Sequence, residues 1–546
     1  MASEQPIPIY SNLSDLYASL GTSLNHAVRW NNLAEEFEKR FGRKPAFIAR
    51  APGRVNLIGE HIDYTLFGVL PAAVERDILI ACAPRTDASS KVVSDHHHLP
   101  GAVVAENLHA KYTPQAFAPT KKSTPKPGED EVHAETWHFD INTKELRWDS
   151  YVKAGYYGVL DHHFSPSEAS TGENAEHPVP VNLLVTGTVP PGAGLSSSSA
   201  MIVASTLAFL AVNGKLDQVD GAQRLTKGDL VRMVLDNEKL VGTMDQAASI
   251  ISNAASALYI TFYPSLNAFP IPLPPRSVFV CANSLVVSDK AVTAKRRYNL
   301  RVVETLVGAR VLARALGVQV GESEKVTLRE VLGRVVGERK GEELDVDELR
   351  KVLERMVKEV EVLKPKGRWS GEELGVTMEE MIELSGLPEA VFRQVYLSWV
   401  EVEATHFQLY KRAKHVFTEA LRVLQFRQIC LDTASSPQES AGNISSLERL
   451  GRLMDESQIS CAEVFECSCP ELDELTRLAR EAGAYGSRLT GAGWGGYTVS
   501  LVAEDKVQEF ITKIRDRFGP YRGLEGEALS EVIFATRPSS GACGMS

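Results

Sequence analysis

The chain has 546 residues and a mass of 59.8 kDa, too long for one simple core, so two domains are expected, 1–270 and 271–546. Its 44% hydrophobic and 24% charged residues are ordinary globular composition. A formal charge of −11 and a pI of about 5.7, with no Lys/Arg block, argue against nucleic-acid binding. No run approaches the roughly 18 apolar residues of a membrane span, and "MASEQPIPIYSNLSDLY" lacks a leader's charged-then-apolar order. Seven cysteines in so long a chain suit a reducing cytoplasm.

In chain order, "AFIARA" (46–51) and "DILIACA" (77–83) read as strands enclosing a polar, motif-rich loop and turn. Residues 84 to about 145 read as an irregular surface insertion. Within it "TKKSTPKPG" (120–128) suggests a solvated loop, and "HHH" (96–98) an exposed tract rather than a metal site. "VNLLVTG" (181–187) is strand-like, and "AMIVASTLAFLAV" (200–212) predicts a buried helix with small residues along one side. "ALYITF" (257–262) and "SVFVCANSLVV" (277–287) restore strand character, and residues 290–316 predict a long helix. Residues 317–385 are charge-rich and helical in pattern, a second insertion. The last part runs helix, helix, strand "SRLTG", strand "YTVSLVA", helix "KVQEFITKIRDRF" and strand "EVIFAT". That order predicts an α+β architecture, helices on one face of a mainly antiparallel sheet. Cys461, Cys467 and Cys469 are spaced C-x5-C-x-C without a second ligand pair, which favours a buried cluster over zinc.

"VPPGAGLSSSSAM" (189–201) carries more specific chemistry. A strand ending at Gly187, a turn with Pro190, Pro191, Gly192 and Gly194, and a helix start make an anion site. The first helical turn leaves backbone N–H groups unpaired, its dipole favours negative charge, and glycines admit a phosphate close to the backbone. Serine hydroxyls can bond phosphate oxygens or ligate Mg²⁺. A plain serine N-cap needs one serine, and here four follow the glycine turn. The stretch is neither a Walker A loop nor a nucleophile elbow. "GAGWGG" (491–496) formally contains G-x-G-x-x-G, but a strand-like segment follows it, so the dinucleotide reading fails.

In "APGRVNLIGEHIDY" (51–64), Arg54, Glu60, His61 and Asp63 fall close together beside Gly53 and Gly59. Paired donors and acceptors at this density suit a small polyhydroxylated ligand; a surface turn with a local ion pair is the plainer alternative. "GRVNLIGEHIDY" followed by "VLPAAVERDILIA" resembles the galactokinase signature of the GHMP small-molecule kinases. "PPGAGLSSSSA" resembles that superfamily's ATP-phosphate loop and "SRLTGAGWGGYTVS" its third motif. "RAKHVFTEALRV" and "ECSCPELDEL" are also galactokinase-like, and the "SSSSA" and "GAGWGG" spellings are similar to the fungal galactokinase and N-acetylgalactosamine kinase branch.

The resemblance implies a ribosomal-S5-like amino-terminal domain and a ferredoxin-like carboxyl-terminal domain, with ATP and galactose meeting between them. It implies transfer of the γ-phosphoryl to the sugar's anomeric hydroxyl. Glu60, His61, Asp63 and Tyr298 would hold the sugar, and Arg54 would lie beside the reacting hydroxyl. Trp148 would flank the adenine, and Gly192, Gly194, Leu195, Ser196, Ser197 and Ser198 would cradle phosphates. Ser198 and Glu238 would serve Mg²⁺, and Asp245 would accept the proton. Only Thr243 and Met244 separate Gly242 from Asp245, about four residues fewer than the family carries, up to roughly 13 Å of extended reach. Either the preceding helix loses a turn or Asp245 or Glu238 is displaced. Three functions therefore stand open: a galactokinase, an N-acetylgalactosamine kinase, and a non-catalytic galactose and ATP sensor that meets a transcriptional regulator.

Overall fold

The computed structural model describes residues 2–17, 20–85, 99–125, 133–142, 147–165, 177–192, 194–216, 224–235, 243–287, 293–339, 341–365, 375–435 and 445–546. The histidines 96–98 and Glu238 lie outside them.

The described strands are β1 (Ile9–Tyr10), β2 (Phe47–Ile58), β3 (Leu70–Pro84), β4 (Val103–Asn107), β5 (Gln115–Phe117), β6 (Thr120–Pro125), β7 (His133–His138) and β8 (Val181–Gly187). They continue with β9 (Ser256–Thr261), β10 (Asn267–Pro272), β11 (Ser277–Asn283), β12 (Gly486–Thr490), β13 (Tyr497–Ala503), β14 (Ile533–Thr536) and β15 (Cys543–Met545). A seven-stranded sheet has the order β1-β15-β2-β3-β8-β4-β5, and a four-stranded antiparallel sheet the order β12-β13-β11-β14.

Alternation along β2, β3 and β8 explains how the first sheet is covered. Ile48, Leu79, Ala81 and Leu184 point to one face, against Trp30, Leu33, Phe37 and Phe41 of α1 (Leu20–Phe41). Ala49, Ile80, Cys82 and Leu183 point to the other. There α3 (Ser197–Val212) lies beneath α2 (Trp148–Phe164), and residues 199–210 of α3 are buried throughout, as an all-round apolar helix must be. Helices therefore flank this sheet on both faces, not one. α4 (Lys227–Leu235) and α5 (Thr243–Ile251) complete the first lobe.

The second lobe follows the expected one-sided pattern. Val278, Val280 and Val502 of its sheet pack on Leu475 and Leu478 of α12 (Pro470–Ala482) and Phe510 and Ile514 of α13 (Val507–Arg517). Its opposite face, with Phe279, Cys281, Val499 and Leu501, joins the main core. α6 (Tyr298–Ala315), α10 (Leu409–Ser435) and α11 (Ser446–Ile459) bridge the lobes. The charge-rich segment 317–385 carries the helices α7 (Leu328–Val335), α8 (Val346–Glu359) and α9 (Met378–Ser385). Two of these helix starts are written in the sequence: Thr327 with Glu330 and Thr377 with Glu380 form reciprocal capping boxes at α7 and α9.

Three expectations need correction. The described residues of 84–145 are not irregular: β4 extends the main sheet parallel to β8, β5 flanks it, and β6 pairs antiparallel with β7. "TKKSTP" is thus a strand rather than a loop. The segment carrying Arg54 is not a loop either, because β2 continues to Ile58 through register shifts at Pro52/Arg54 and Asn56/Ile58. A further finding concerns the carboxyl-terminal segment, which leaves the second sheet at β14 and returns to the first, where β15 pairs with β1 and β2.

Candidate active site

Two cavities adjoin at the interface of the lobes, one of about 220 Å³ and one of about 800 Å³. Arg54, Asp245 and Ala492 line both. The bulge at Gly53 re-aims β2 so that Arg54 reaches this junction, and a Cβ at Gly53 would stand 2.7 Å from the Leu195 carbonyl oxygen. Asp245 stands in the first turn of α5. Arg54 Nε donates to Asp245 Oδ1 at 2.7 Å and its Nη1 to the Gly194 carbonyl at 2.6 Å, while its backbone N–H donates to the Leu195 carbonyl. The arginine side chain is 5% exposed and the carboxylate 27%, so the acid opens to the cavities and the cation is fixed behind it. Asp245 thus stands beside Arg54 although only Thr243 and Met244 separate it from Gly242 in the sequence.

The smaller cavity is walled by Glu60, His61, Asp63, Tyr64, Tyr298 and Trp494, among others. His61 has φ 60°, a left-handed conformation that turns the chain out of β2. Its Nε2 donates to the Ala492 carbonyl at 2.9 Å, leaving Nδ1 to accept from Tyr64 Oη at 3.3 Å. Burial holds the ring neutral, its pKa down to about 3. Glu60 accepts from the Gly491 N–H and from Asn56 Nδ2, and Arg488 lies 3.5 Å away. Burial pushes its carboxyl up, against the pull of Arg488 and Arg54. Asp63 is raised to about 7, first by burial and then by the charge of Asp245. Tyr298 is held well above the phenol range by burial and by Asp63 and Asp245. These groups give one small cavity both donors and acceptors.

Gly192, Gly194, Ser196, Ser197 and Ser198 line the larger cavity with Trp148. Leu195 is buried beneath them. Ser196 caps α3 with φ 58°, and its buried Oγ has no hydrogen-bond partner among the described residues. At the far end Trp148 Nε1 donates to the Thr113 carbonyl, and Tyr112 lies 6.3 Å from it, ring to ring. The "GAGWGG" loop closes the junction: Gly491 has φ 88°, and a Cβ there would stand 2.7 Å from the Gly194 carbonyl oxygen. Its glycines serve the close approach of two loops, not a dinucleotide.

Comparison with known proteins gives the family. Residues 35–84 match a model described as the galactokinase galactose-binding signature, 160–253 the GHMP kinases N terminal domain and 440–519 the GHMP kinases C terminal. The chain is 36% identical to a galactokinase of Dictyostelium discoideum, spanning 98% of this chain and 97% of that protein. It is 34% identical to one of Candida parapsilosis (95% and 94%) and 32% to one of Saccharomyces cerevisiae (95% and 94%). The chain belongs to the galactokinase family. Its fold is that of GHMP kinases, shared with the solved Lactococcus lactis galactokinase complexed with galactose at a TM-score of 0.58 and 19% identity, over 94% of this chain and 99% of that one.

Sequence reasoning missed the buried groups that hold the galactokinase signature in shape. Glu419 of α10 accepts from the Gly59 N–H at 2.9 Å and from Ser457 Oγ at 2.7 Å. His415 Nε2 donates to the Glu60 carbonyl at 3.0 Å, and Arg488 of β12 donates to the Asn56 carbonyl at 3.2 Å and to Ser457 Oγ at 3.0 Å. His415 lies in "RAKHVFTEALRV" and Arg488 in "SRLTG", so both stood in motifs already noted, but nothing local announces that they are buried. Tyr64 and Trp494 were likewise inside quoted motifs without a role.

Proposed function

We propose that this protein transfers the γ-phosphoryl group of ATP to the anomeric hydroxyl of galactose, giving α-galactose 1-phosphate. The observation that carries this reading is the Arg54–Asp245 pair standing where the two cavities meet. Galactose takes the smaller cavity, with Glu60, His61, Asp63 and Tyr298 reading its hydroxyls, and ATP the larger. Both ring nitrogens of His61 are engaged within the protein, which suits a wall against the sugar better than a hydrogen-bonding arm. Asp245 accepts the hydroxyl proton, a contribution of roughly 10²–10⁴-fold. Arg54 fixes the carboxylate and places a cation beside the bond being made; positioning and charge are most of what a loose phosphoryl transition state needs.

The orphaned Ser196 Oγ, the unpaired N–H groups of the first turn of α3 and the glycine turn suit phosphate oxygens, and Trp148 suits the base. Magnesium suits the serine hydroxyl oxygens of this loop, with Ser198 as a protein ligand; Glu238, the other expected ligand, lies outside the described residues. When bound with ATP the ion neutralises charge on the transferring group. All seven cysteines are free, which supports a cytoplasmic location, and among the described residues no helix is long and apolar enough to cross a membrane.

The test is ADP release by the purified protein with Mg-ATP and galactose, N-acetylgalactosamine or no sugar. Release that depends on galactose is expected. Release with N-acetylgalactosamine alone would reassign the substrate, and silence with both while sugar and ATP still bind would make the protein a sensor.

A further inference from the structure

Asp245 stands against Arg54 although the connection into its helix is short, and a set of hydrogen bonds holds α5 at the helix's other end. Ser249, one turn behind Asp245, donates from Oγ to the Pro52 carbonyl at 2.7 Å, just before Arg54 on β2. The crossing segment 538–542 runs along the end of the same helix. The Gly541 N–H donates to the Ser252 carbonyl at 2.7 Å, the Ala542 N–H to the Ser249 carbonyl at 2.8 Å, and the Ala255 N–H to the Pro538 carbonyl at 3.3 Å. The segment thus satisfies terminal carbonyls that a helix of this length leaves open. Gly541 is required by closeness: a Cβ there would fall inside contact distance of the Ile250 carbonyl oxygen.

The other side of the segment is clamped by Arg50, fully buried on β2, on the far side of the bulge from Arg54. Its Nη1 donates to the Ser540 carbonyl at 3.0 Å and the Gly541 carbonyl at 3.3 Å, its Nη2 to Ser539 Oγ at 3.1 Å, and its Nε to Asp77 Oδ2 at 2.5 Å. Arg29 reaches the other Asp77 oxygen at 2.5 Å, and the Ser539 N–H donates to the Ala73 carbonyl. A closed circuit results. β2 holds the segment through Arg50, the segment holds α5, and α5 returns Asp245 to Arg54 on the same strand.

We propose that Ser249 and Gly541 are positioning residues for phosphoryl transfer, fixing the axial position of α5 and with it the Asp245 carboxylate. This rests on the reading of Asp245 as proton acceptor. Neither residue lines either cavity, so substrate affinities should be spared while turnover falls. A misplacement of about 1 Å at a reacting group can cost about 10²-fold in rate.

The experiment compares Ser249→Ala, Gly541→Ala and Asp245→Ala in the full chain. It measures kcat and KM for galactose and ATP, together with the stoichiometry of ATP binding by calorimetry. Gly519→Ala serves as control, since a Cβ there meets open space. Gly541→Ala is expected to lower kcat per ATP-binding site ten- to a hundredfold, and Ser249→Ala three- to tenfold, with both KM values within threefold. If Gly541→Ala does not fold, Ser249→Ala decides alone. The proposal is overturned if kcat per binding site is unchanged in the variants that fold, or if the loss appears in KM. Should Asp245→Ala itself keep full turnover, the underlying reading fails instead, which separates the two outcomes.

Discussion

Removing Arg54 separates a catalytic role from a structural one. Its guanidinium makes two short contacts, to Asp245 Oδ1 at 2.7 Å and to the Gly194 carbonyl at 2.6 Å. In Arg54→Ala the carboxylate is left 27% or more exposed, so water replaces the lost partner and the pair contributes only about 0–1 kcal/mol to stability. Its contribution to the reaction is larger, because a fixed cation in a shielded site acts on charge that develops in transfer, an effect of roughly 2.7–4 kcal/mol or 10²–10³ in kcat. Arg54→Lys should lose most of this too, since an ammonium is a point charge that cannot hold both acceptors in the guanidinium's fork geometry. The assay is initial-rate kinetics with galactose and Mg-ATP varied separately, beside a thermal melt. We expect kcat to fall at least a hundredfold in Arg54→Ala, with KM for ATP within about threefold and melting nearly unchanged. A kcat within threefold of the unsubstituted protein, or a loss confined to KM for ATP, would refute the assignment.

Asp245→Ala should abolish ADP release while galactose still binds, measured by calorimetry. Asp63, raised to about 7 by burial and the charge of Asp245, makes kcat/KM for galactose fall as pH drops below about 7, and the break should vanish in Asp63→Asn. The same shift favours the folded state below the unfolded carboxyl value of about 4 and is lost as pH rises towards 7, so Asp63→Asn should flatten the pH dependence of stability in that window. Gly491→Ala places a Cβ against the Gly194 carbonyl at φ 88°, a conformation costing about 1–2 kcal/mol for a residue other than glycine; KM for ATP should rise severalfold. Arg488→Met leaves Glu60 buried without the cation 3.5 Å from it, while Glu419 keeps Arg422 at 2.9 Å; the loss of about 3–5 kcal/mol should lower the urea midpoint and raise KM for galactose more than for ATP.

Much of this was legible in the sequence for physical reasons. The run from Ala200 to Val212 is apolar on all sides and could only be a buried helix, and the T-x-x-E spacings at Thr327 and Thr377 specify helix starts. The glycine and serine pattern announced an anion site before any fold was known. What stayed hidden depends on distant partners. Arg54 looked like a loop residue because Pro52 and Gly53 break strand pattern, yet both sit at a bulge and the ladder resumes beyond them. β4 was lost in a stretch rich in Pro and Lys because its partner β8 lies nearly eighty residues on, and β5, three residues long, pairs only with β4. β15 is three residues long, and nothing local marks it as the strand that ties the chain's end to its first sheet.

Four of the eight non-glycine residues with positive φ among the described residues lie in or beside the cleft, and that bears on how the two lobes make one site. His61, Ser196, Glu466 and Trp494 all have positive φ near 55–60° without being glycine. Each such residue costs about 1–2 kcal/mol and persists only where its surroundings over-determine it. For His61 the surroundings are the Ala492 carbonyl and Tyr64; for Trp494 they are the Cys467 carbonyl, which accepts its N–H, and the Glu466 carbonyl, which accepts its indole Nε1–H. Glu466 is in turn held by Arg412 at 2.6 Å and Lys411 at 2.9 Å. The strained turn of the sugar signature in the first lobe is therefore kept in place by a strained loop of the second, and that loop by charged side chains of α10. Neither lobe alone supplies the contacts that hold the sugar cavity's walls, so the cavity is a property of their union. Loosening Glu466, for instance by Arg412→Met, should disturb galactose affinity although that arginine lies outside the cavity lining.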